Sequence, residues 1–154
     1  QGSPLRPWRR AARCLGNPGP GGWACIIVPI DPTGPEQVLS GGQASTTNNR
    51  MELQAVIEGL SSLPDGARVD LHADSQYVLK GLDEWLDNWI ARGWRTSSRK
   101  PVKNEAQWRV LDTERARLTL TYTWVKGHDG HDYNERCDLL AKREAERIAE
   151  EIAT

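Results

Sequence analysis

Cysteine and long apolar stretches are both scarce in this 154-residue chain, and each scarcity excludes a class of protein. The three cysteines are an odd number without a C-x-x-C pair, so they predict no disulfide framework and favour a reducing compartment. No apolar run approaches the roughly 18 residues that span a bilayer. Residues 1–13 hold four arginines and no secretory signal. We therefore expect a cytoplasmic protein without a membrane segment.

Net charge is also almost absent, at −1, but the charges are segregated along the sequence. Residues 1–30 sum to +4, residues 31–87 to −7, residues 88–109 to +5 and residues 110–154 to −3. Basic blocks beside acidic ones indicate an anionic partner next to a cation-binding or solvated acidic region. Ordinary scatter of surface charge is the alternative.

Length and patterning predict one α/β domain. With 38% hydrophobic residues the chain fits a globular protein, and 154 residues suffice for one core but not for two ordinary domains. A hairpin is predicted from an apolar run over residues 23–28, a turn-rich stretch after it and the segment 37–39. The further predicted elements are a helix through residues 53–63, a strand over 68–73, a helix from about 77, a basic segment ending near 108, a further helix, a strand over 118–125 and a helix from 134 onward. Such an order predicts a sheet flanked by helices, without an internal repeat.

Asp74 follows the predicted strand over residues 68–73. Open α/β sheets place their chemistry at the carboxyl ends of strands, which favours Asp74 as a site residue. The alternative role is the N-cap of the helix that begins near Tyr77.

Five segments occur in a fixed order along the chain: CLGNPGPGGW (14–23), TTNNRMEL (46–53), ADSQYV (73–78), RGWRT with KPVKN (92–104) and WVKGHDGHDYNERCDLLA (124–141). Together they resemble bacterial type 1 ribonuclease H. The resemblance implies a ribonuclease H-like fold, which is a mixed five-stranded sheet flanked by helices. It also implies a metal-dependent endonuclease that hydrolyses the RNA strand of RNA/DNA hybrids, independently of sequence, and leaves 5′-phosphate ends. We expect it to act as a monomer.

The resemblance assigns three catalytic and metal-binding carboxylates to Glu52, Asp74 and Asp138. Clustered carboxylates suit a hard ion such as magnesium, or manganese in its place, because these ions take oxygen ligands and neutralise charge on a transferring phosphoryl group. Three ordinary solvated acids are the alternative.

A catalytic histidine of the family falls on His128 in a glycine-rich loop. The resemblance implies that His128 relays a proton and helps the product to leave, which suits an imidazole. An exposed loop histidine is one alternative. A zinc site from His128, His131 and Cys137 is another, and the oxygen-rich family site disfavours it.

The family's fourth carboxylate is missing here. A strand that ends in Asp-Gly-Ser should precede CLGNPGPGGW, but Ala11, Ala12 and Arg13 occupy those positions. The prolines and arginines of residues 1–13 also do not suit an apolar central strand, so we expect this atypical segment not to form it and assign the domain to residues 14–154. Three explanations remain open: an inactive relative, a damaged or artificially joined N-terminus, or a ligand from elsewhere such as Asp129.

Two functional hypotheses follow from this loss. One is an enzyme that cleaves hybrids slowly for want of one carboxylate, and the other is a catalytically inactive module that binds RNA/DNA hybrids. A relic that folds but does neither is a third alternative.

The resemblance also implies three groups of nucleic-acid contacts. The groups are Asn17, Asn48, Asn49 and Gln76 for the minor groove of the hybrid, Thr47 and Arg50 for a DNA-strand phosphate, and Trp85, Trp89, Arg92, Trp94, Arg95 and Lys103 in a basic protrusion. Helix capping is the alternative for the asparagine pair, and core packing is the alternative for the tryptophans. Ile90 and Ala91 replace cations that relatives carry, so we expect weaker and less salt-sensitive hybrid binding.

Overall fold

The strands of the protein form one mixed sheet. The computed structural model describes residues 8–14, 19–28, 35–73, 75–124 and 132–153, of which 8–14 and 132–134 are described as backbone only. Within these ranges the strands are β1 (Trp8–Cys14), β2 (Gly19–Ile27), β3 (Gln37–Thr46), β4 (Arg68–Ala73) and β5 (Thr119–Trp124). Their order is β3-β2-β1-β4-β5, antiparallel from β3 to β1 and parallel from β1 to β5. The predicted mixed five-stranded sheet is confirmed.

Helices cover both faces of this sheet. They are α1 (Asn48–Ser61), α2 (Gln76–Lys80), α3 (Leu86–Ala91), α4 (Glu105–Arg117) and α5 (Asp132–Ala153), with a π-helical turn (Gly81–Trp85) joining α2 to α3. Alternate residues of β2 face opposite ways: Cys25 packs in the core that contains α1, whereas Ala24 packs with Ala141 of α5. Among the helices described, none is long and apolar enough to cross a membrane.

The N-terminal segment corrects one expectation. Residues Trp8–Cys14 form the central strand, with Ala11 opposite Ala24 of β2 on one side and Arg9 opposite His72 of β4 on the other. Strand pairing uses backbone groups, which arginine and alanine supply as well as an apolar residue does. Both prolines of the segment precede the strand, so no ladder donor is lost within it. The expectation that this segment would not form the central strand is wrong.

Arg117 joins the end of α4 to the end of α1. Its guanidinium donates to the carbonyl oxygens of Leu60 at 2.8 Å and Leu63 at 2.7 Å and pairs with Glu114 at 2.8 Å. The hydrogen bond with Glu114 raises the pKa of Arg117 above its usual value. The last carbonyls of a helix have no partner within it, so this cation completes the C-terminal turn of α1.

Trp108 of α4 packs directly against the π-helical turn. The indole is fully buried, and its Nε1 donates to the Tyr77 hydroxyl at 3.1 Å. Its ring lies so close to Gly81 that any Cβ at that position would overlap it. The backbone angles of Gly81 are those of an ordinary right-handed helix, which any residue adopts. Glycine is therefore required there by the close approach of the indole and not by the backbone conformation.

Gly81→Ala should destabilise the protein although the residue is helical. Helix propensity alone favours alanine over glycine by about 1 kcal/mol. Overlap with the indole should reverse that sign and lower the free energy of unfolding by about 1–3 kcal/mol in urea titrations. Gly66→Asn is the control, since Gly66 has φ 79°, which asparagine tolerates, and no atom within 4 Å of a Cβ built there. A stabilised Gly81→Ala variant would contradict this account of the turn.

Candidate metal and nucleic-acid site

Two of the three predicted acidic ligands lie in the described part of the chain. Glu52 is in the N-terminal half of α1 and only 5% exposed, and Asp138 is half-buried on α5. Asp74 lies outside the described residues, so the gathering of the three acids stays a prediction.

The donor set fits a hard divalent cation, because carboxylate oxygens are the ligands that such ions prefer. No group of three or more His, Cys, Asp or Glu side chains is assembled within the described ranges themselves. For the alternative zinc site, His128 and His131 lie outside those ranges, and Cys137 is fully buried in an apolar cluster against β2.

Thr47 caps the helix that carries Glu52. Its backbone is extended, and its Oγ1 accepts a hydrogen bond from the backbone N–H of Arg50 at 3.3 Å. Asn48 and Asn49 therefore occupy the first turn of α1, where both are exposed. The alternative of helix capping by the asparagine pair is wrong, and their predicted contact with the hybrid stays a prediction.

Ser75 is the N-cap residue of α2, although its side chain makes no capping hydrogen bond. Asp74, for which capping was the alternative role, lies outside the described residues, so that alternative stays open. Gln76 begins α2 and is exposed.

The backbone of Arg50 is held from α4, whereas its side chain is exposed. Nε2 of Gln107 donates to the Arg50 carbonyl at 3.0 Å and to Oε1 of Gln54 at 3.2 Å. No sequence pattern marks Gln107, because these bonds join residues that are distant along the chain.

Cations and aromatic rings line a groove beside the basic loop, which we define as residues 92–104. Two adjoining cavities of about 550 and 320 Å³ share Arg92, Thr96 and Ser97. The larger adds Arg95 and Arg99, and the smaller adds Trp85, Asn88 and Trp89. Guanidinium groups beside aromatic faces suit the phosphates and sugars of a nucleic-acid strand. Lys103 is exposed in the same loop.

The tryptophans divide between core and groove. Trp108 is fully buried, as the core-packing alternative predicts, whereas Trp85, Trp89 and Trp94 are half-buried. Trp89 contacts both Trp85 and Trp108, with ring centroids 5.9 and 5.3 Å apart. The three half-buried rings therefore pack inward and still present surface to a ligand.

Several predicted site residues remain untested. Asn17, His128 and Asp129 lie outside the described residues, as does the side chain at Ala11. Their roles stay predictions.

Comparison with known proteins decides the family. The RNase H family model matches residues 12–146. The chain belongs to the ribonuclease H family. It is 52% identical over 130 residues to a protein named ribonuclease H from Phenylobacterium zucineum, covering 84% of this chain and 83% of the relative. It is 49% identical over 145 residues to one from Bordetella bronchiseptica, covering 94% and 91%. The ribonuclease H family is divalent-metal dependent.

Solved structures of ribonucleases H share the fold. LC9-RNase H1, described as a type 1 RNase H with the type 2 active-site motif, has a TM-score of 0.83 and 29% identity, covering 95% of this chain and 74% of that chain. LC11-RNase H1 in complex with an RNA/DNA hybrid has a TM-score of 0.63 and 18% identity, covering 94% and 99%. At that lower identity the likeness concerns the fold alone.

Thr47→Ala should lower the free energy of unfolding by about 0.5–2 kcal/mol, because it removes the acceptor for one orphan N–H of α1. Thr47→Ser keeps the hydroxyl and should retain most of the stability. Asn49→Ala, in the same turn but not the cap, should change stability by less than about 0.5 kcal/mol. Urea unfolding of the three variants checks this, and an Asn49→Ala loss equal to that of Thr47→Ala would contradict the assignment of the cap.

Proposed function

We propose that this ribonuclease H-family chain is a metal-dependent endonuclease that hydrolyses the RNA strand of RNA/DNA hybrids and leaves 5′-phosphate ends. The observation that carries the proposal is the family match over residues 12–146, joined to a groove lined by arginines and tryptophans on the described surface. We also propose that the protein is a cytoplasmic monomer and that residues 14–154 act as one domain. The pairing of β1 with β2 supports extending this domain toward the N-terminus to include β1.

Glu52, Asp74 and Asp138 are the residues that would hold magnesium, or manganese in its place. When bound, such an ion neutralises charge on the scissile phosphate and lowers the pKa of water. The oxygen donors of the set support this assignment. His128 would act beside them as a proton relay that helps the product to leave.

Recognition of the hybrid would use backbone and sugar contacts rather than base edges. The 2′-hydroxyls in the minor groove would be recognised by four side chains, those of Asn17, Asn48, Asn49 and Gln76. Thr47 and Arg50 would bind one phosphate of the DNA strand, for which a guanidinium offers two parallel hydrogen bonds. The basic loop, with Trp85 and Trp89, would follow the same strand further along. Cleavage should therefore depend little on sequence.

The second candidate function is a hybrid-binding module without catalysis, and the register of β1 favours it. Trp8 lies opposite Leu71 and Arg9 opposite His72 of the parallel strand β4. Because the two strands are parallel, Ala11 lies beyond Arg9 in the direction in which β4 also ends. This supports the assignment of Ala11 to the position of the missing aspartate, so we propose that cleavage is impaired.

Restoring the lost motif should separate the two functions. The variant Ala11→Asp, Ala12→Gly, Arg13→Ser should cleave a labelled hybrid faster than the unaltered chain by orders of magnitude in magnesium or manganese, because it supplies the absent carboxylate. The same variant with Glu52→Gln should lose that gain. Rapid cleavage by the unaltered chain would disprove impairment. A restored variant that is folded but inactive would show that the missing ligand has been assigned to the wrong position.

Hybrid binding should depend on salt through the basic loop. Each phosphate contact contributes about 0.9 to the slope of log affinity against log salt concentration. The double variant Arg92→Ala, Arg95→Ala should therefore weaken hybrid binding and reduce that slope by about 2 in fluorescence anisotropy titrations. Arg147→Ala is the control, because Arg147 lies on α5 and pairs with Glu144 and Glu151. An unchanged slope in the double variant would remove the basic loop from the binding surface.

A further inference from the structure

Helix α4 is fixed parallel to α1 at two points. Gln107 donates to the Arg50 carbonyl near the start of α1, and Arg117 donates to the Leu60 carbonyl near its end. The two contacts are equally spaced along both helices, so the helices run in the same direction and in register. Gln107 also donates to Gln54, which ties it to the turn after Arg50. The first turn of α1 is thus held from α4.

The same stretch of α4 holds the basic loop. The guanidinium carbon of Arg109 lies 4.5 Å from the centre of the Trp94 ring, and its Nε donates to Oε2 of Glu105 at 2.8 Å. Trp94 has a left-handed backbone, with φ 65°, that is unfavourable for any residue with a Cβ. Its N–H donates to the Trp89 carbonyl at 2.6 Å, which ties the loop to the end of α3. Stacking by Arg109 therefore supports a strained residue of the basic loop, one position from Arg95, which lines the groove.

Gln107 and Arg109 are two positions apart on one helix, and their contacts lead to two different surfaces. One is the first turn of α1, where Thr47 and Arg50 would bind a DNA-strand phosphate. The other is the basic loop, which would bind the same strand further along. Helix α4 is rigid and fixes the distance between these two surfaces. Because phosphates are regularly spaced along a strand, one strand can contact both surfaces only when that distance matches the spacing of its phosphates.

We propose that Gln107 and Arg109 are positioning residues for hybrid binding, and that α4 sets the distance between the phosphate contact on α1 and the basic loop. The proposal rests on the proposed function, since it concerns how the same hybrid is held. Gln107 acts through the backbone of Arg50. Arg109 acts through the face of Trp94, which a planar guanidinium covers and a compact ammonium does not.

Binding measurements test this without any need for cleavage. A fluorescent RNA/DNA hybrid is titrated with the full chain at several salt concentrations, and affinity is read by anisotropy. Arg109→Lys and Gln107→Leu should each weaken binding about two- to fivefold and leave the salt slope unchanged, because neither removes a phosphate contact. Arg147→Lys, which replaces an exposed and carboxylate-paired arginine of α5, should bind like the unaltered chain. Thermal unfolding of each variant verifies the fold.

A second arm tests whether Arg109 acts through Trp94. In a Trp94→Leu background, Arg109→Lys should cause no further loss of affinity, because residues that act through one contact are not additive. Full additivity would overturn the proposal. A second pattern would also overturn it: Arg109→Lys binds normally, and Arg109→Gln lowers the salt slope by about 1. That pattern identifies a direct phosphate contact by Arg109.

Failure of this inference differs from failure of the proposed function. If Arg92→Ala, Arg95→Ala weakens binding while Arg109→Lys and Gln107→Leu bind normally, only the positioning role is wrong. If the double variant also binds normally, the basic loop does not bind the hybrid, and both the proposed recognition and the positioning role are overturned.

Discussion

Backbone pairing of β1 with a neighbour on each side is the constraint on which the rest of the molecule depends. β1 is antiparallel to β2 and parallel to β4, so it joins an antiparallel half of the sheet to a parallel half. Without it, the hairpin of β2 and β3 would share no strand with β4 and β5. The helix that carries Glu52 and the helix that carries Asp138 pack on opposite faces of the sheet that β1 completes. A proposed metal site built from both helices and the end of β4 therefore depends on this one strand.

The pairing of β1 is also compatible with the proposed replacement of a catalytic aspartate by Ala11. Ladder hydrogen bonds come from the main chain, and they are indifferent to the exchange of an aspartate for an alanine. On the proposed assignment of Ala11, the fold can therefore persist without the catalytic carboxylate. The proposed binding surface depends on other contacts, chiefly those of Trp108, Gln107 and Arg109 on α4. A protein of this design can retain hybrid binding when its cleavage is impaired.

Local pattern was sufficient for some elements and not for others. The alternation over residues 68–73 predicted β4 with the bounds that the structure has, because a half-buried strand shows its pleat in the sequence. The prediction that residues 1–13 do not form the central strand was wrong. It relied on the polarity of the side chains, whereas hydrogen bonding of the backbone determines whether the segment pairs into the sheet. The cap of α1 fell on Thr47 rather than on Asn48 or Asn49, because threonine and asparagine are both good capping residues and the sequence does not choose between them. Nothing in the spacing of the tryptophans indicated that Trp108 would require a glycine at position 81.

The sequence by itself determined the class of fold, the family and the residue types available for metal and phosphate binding, because ordered motifs and periodicity are properties of a linear chain. Tertiary structure alone decided which residues support those motifs. The supporting contacts join positions that are far apart in the chain or that meet across a loop. They are those of Gln107 with Arg50, Arg109 with Trp94 and Arg117 with Leu60. Such contacts depend on how two helices lie side by side, and the free energy that fixes that arrangement comes from burial of the whole core rather than from any local signal.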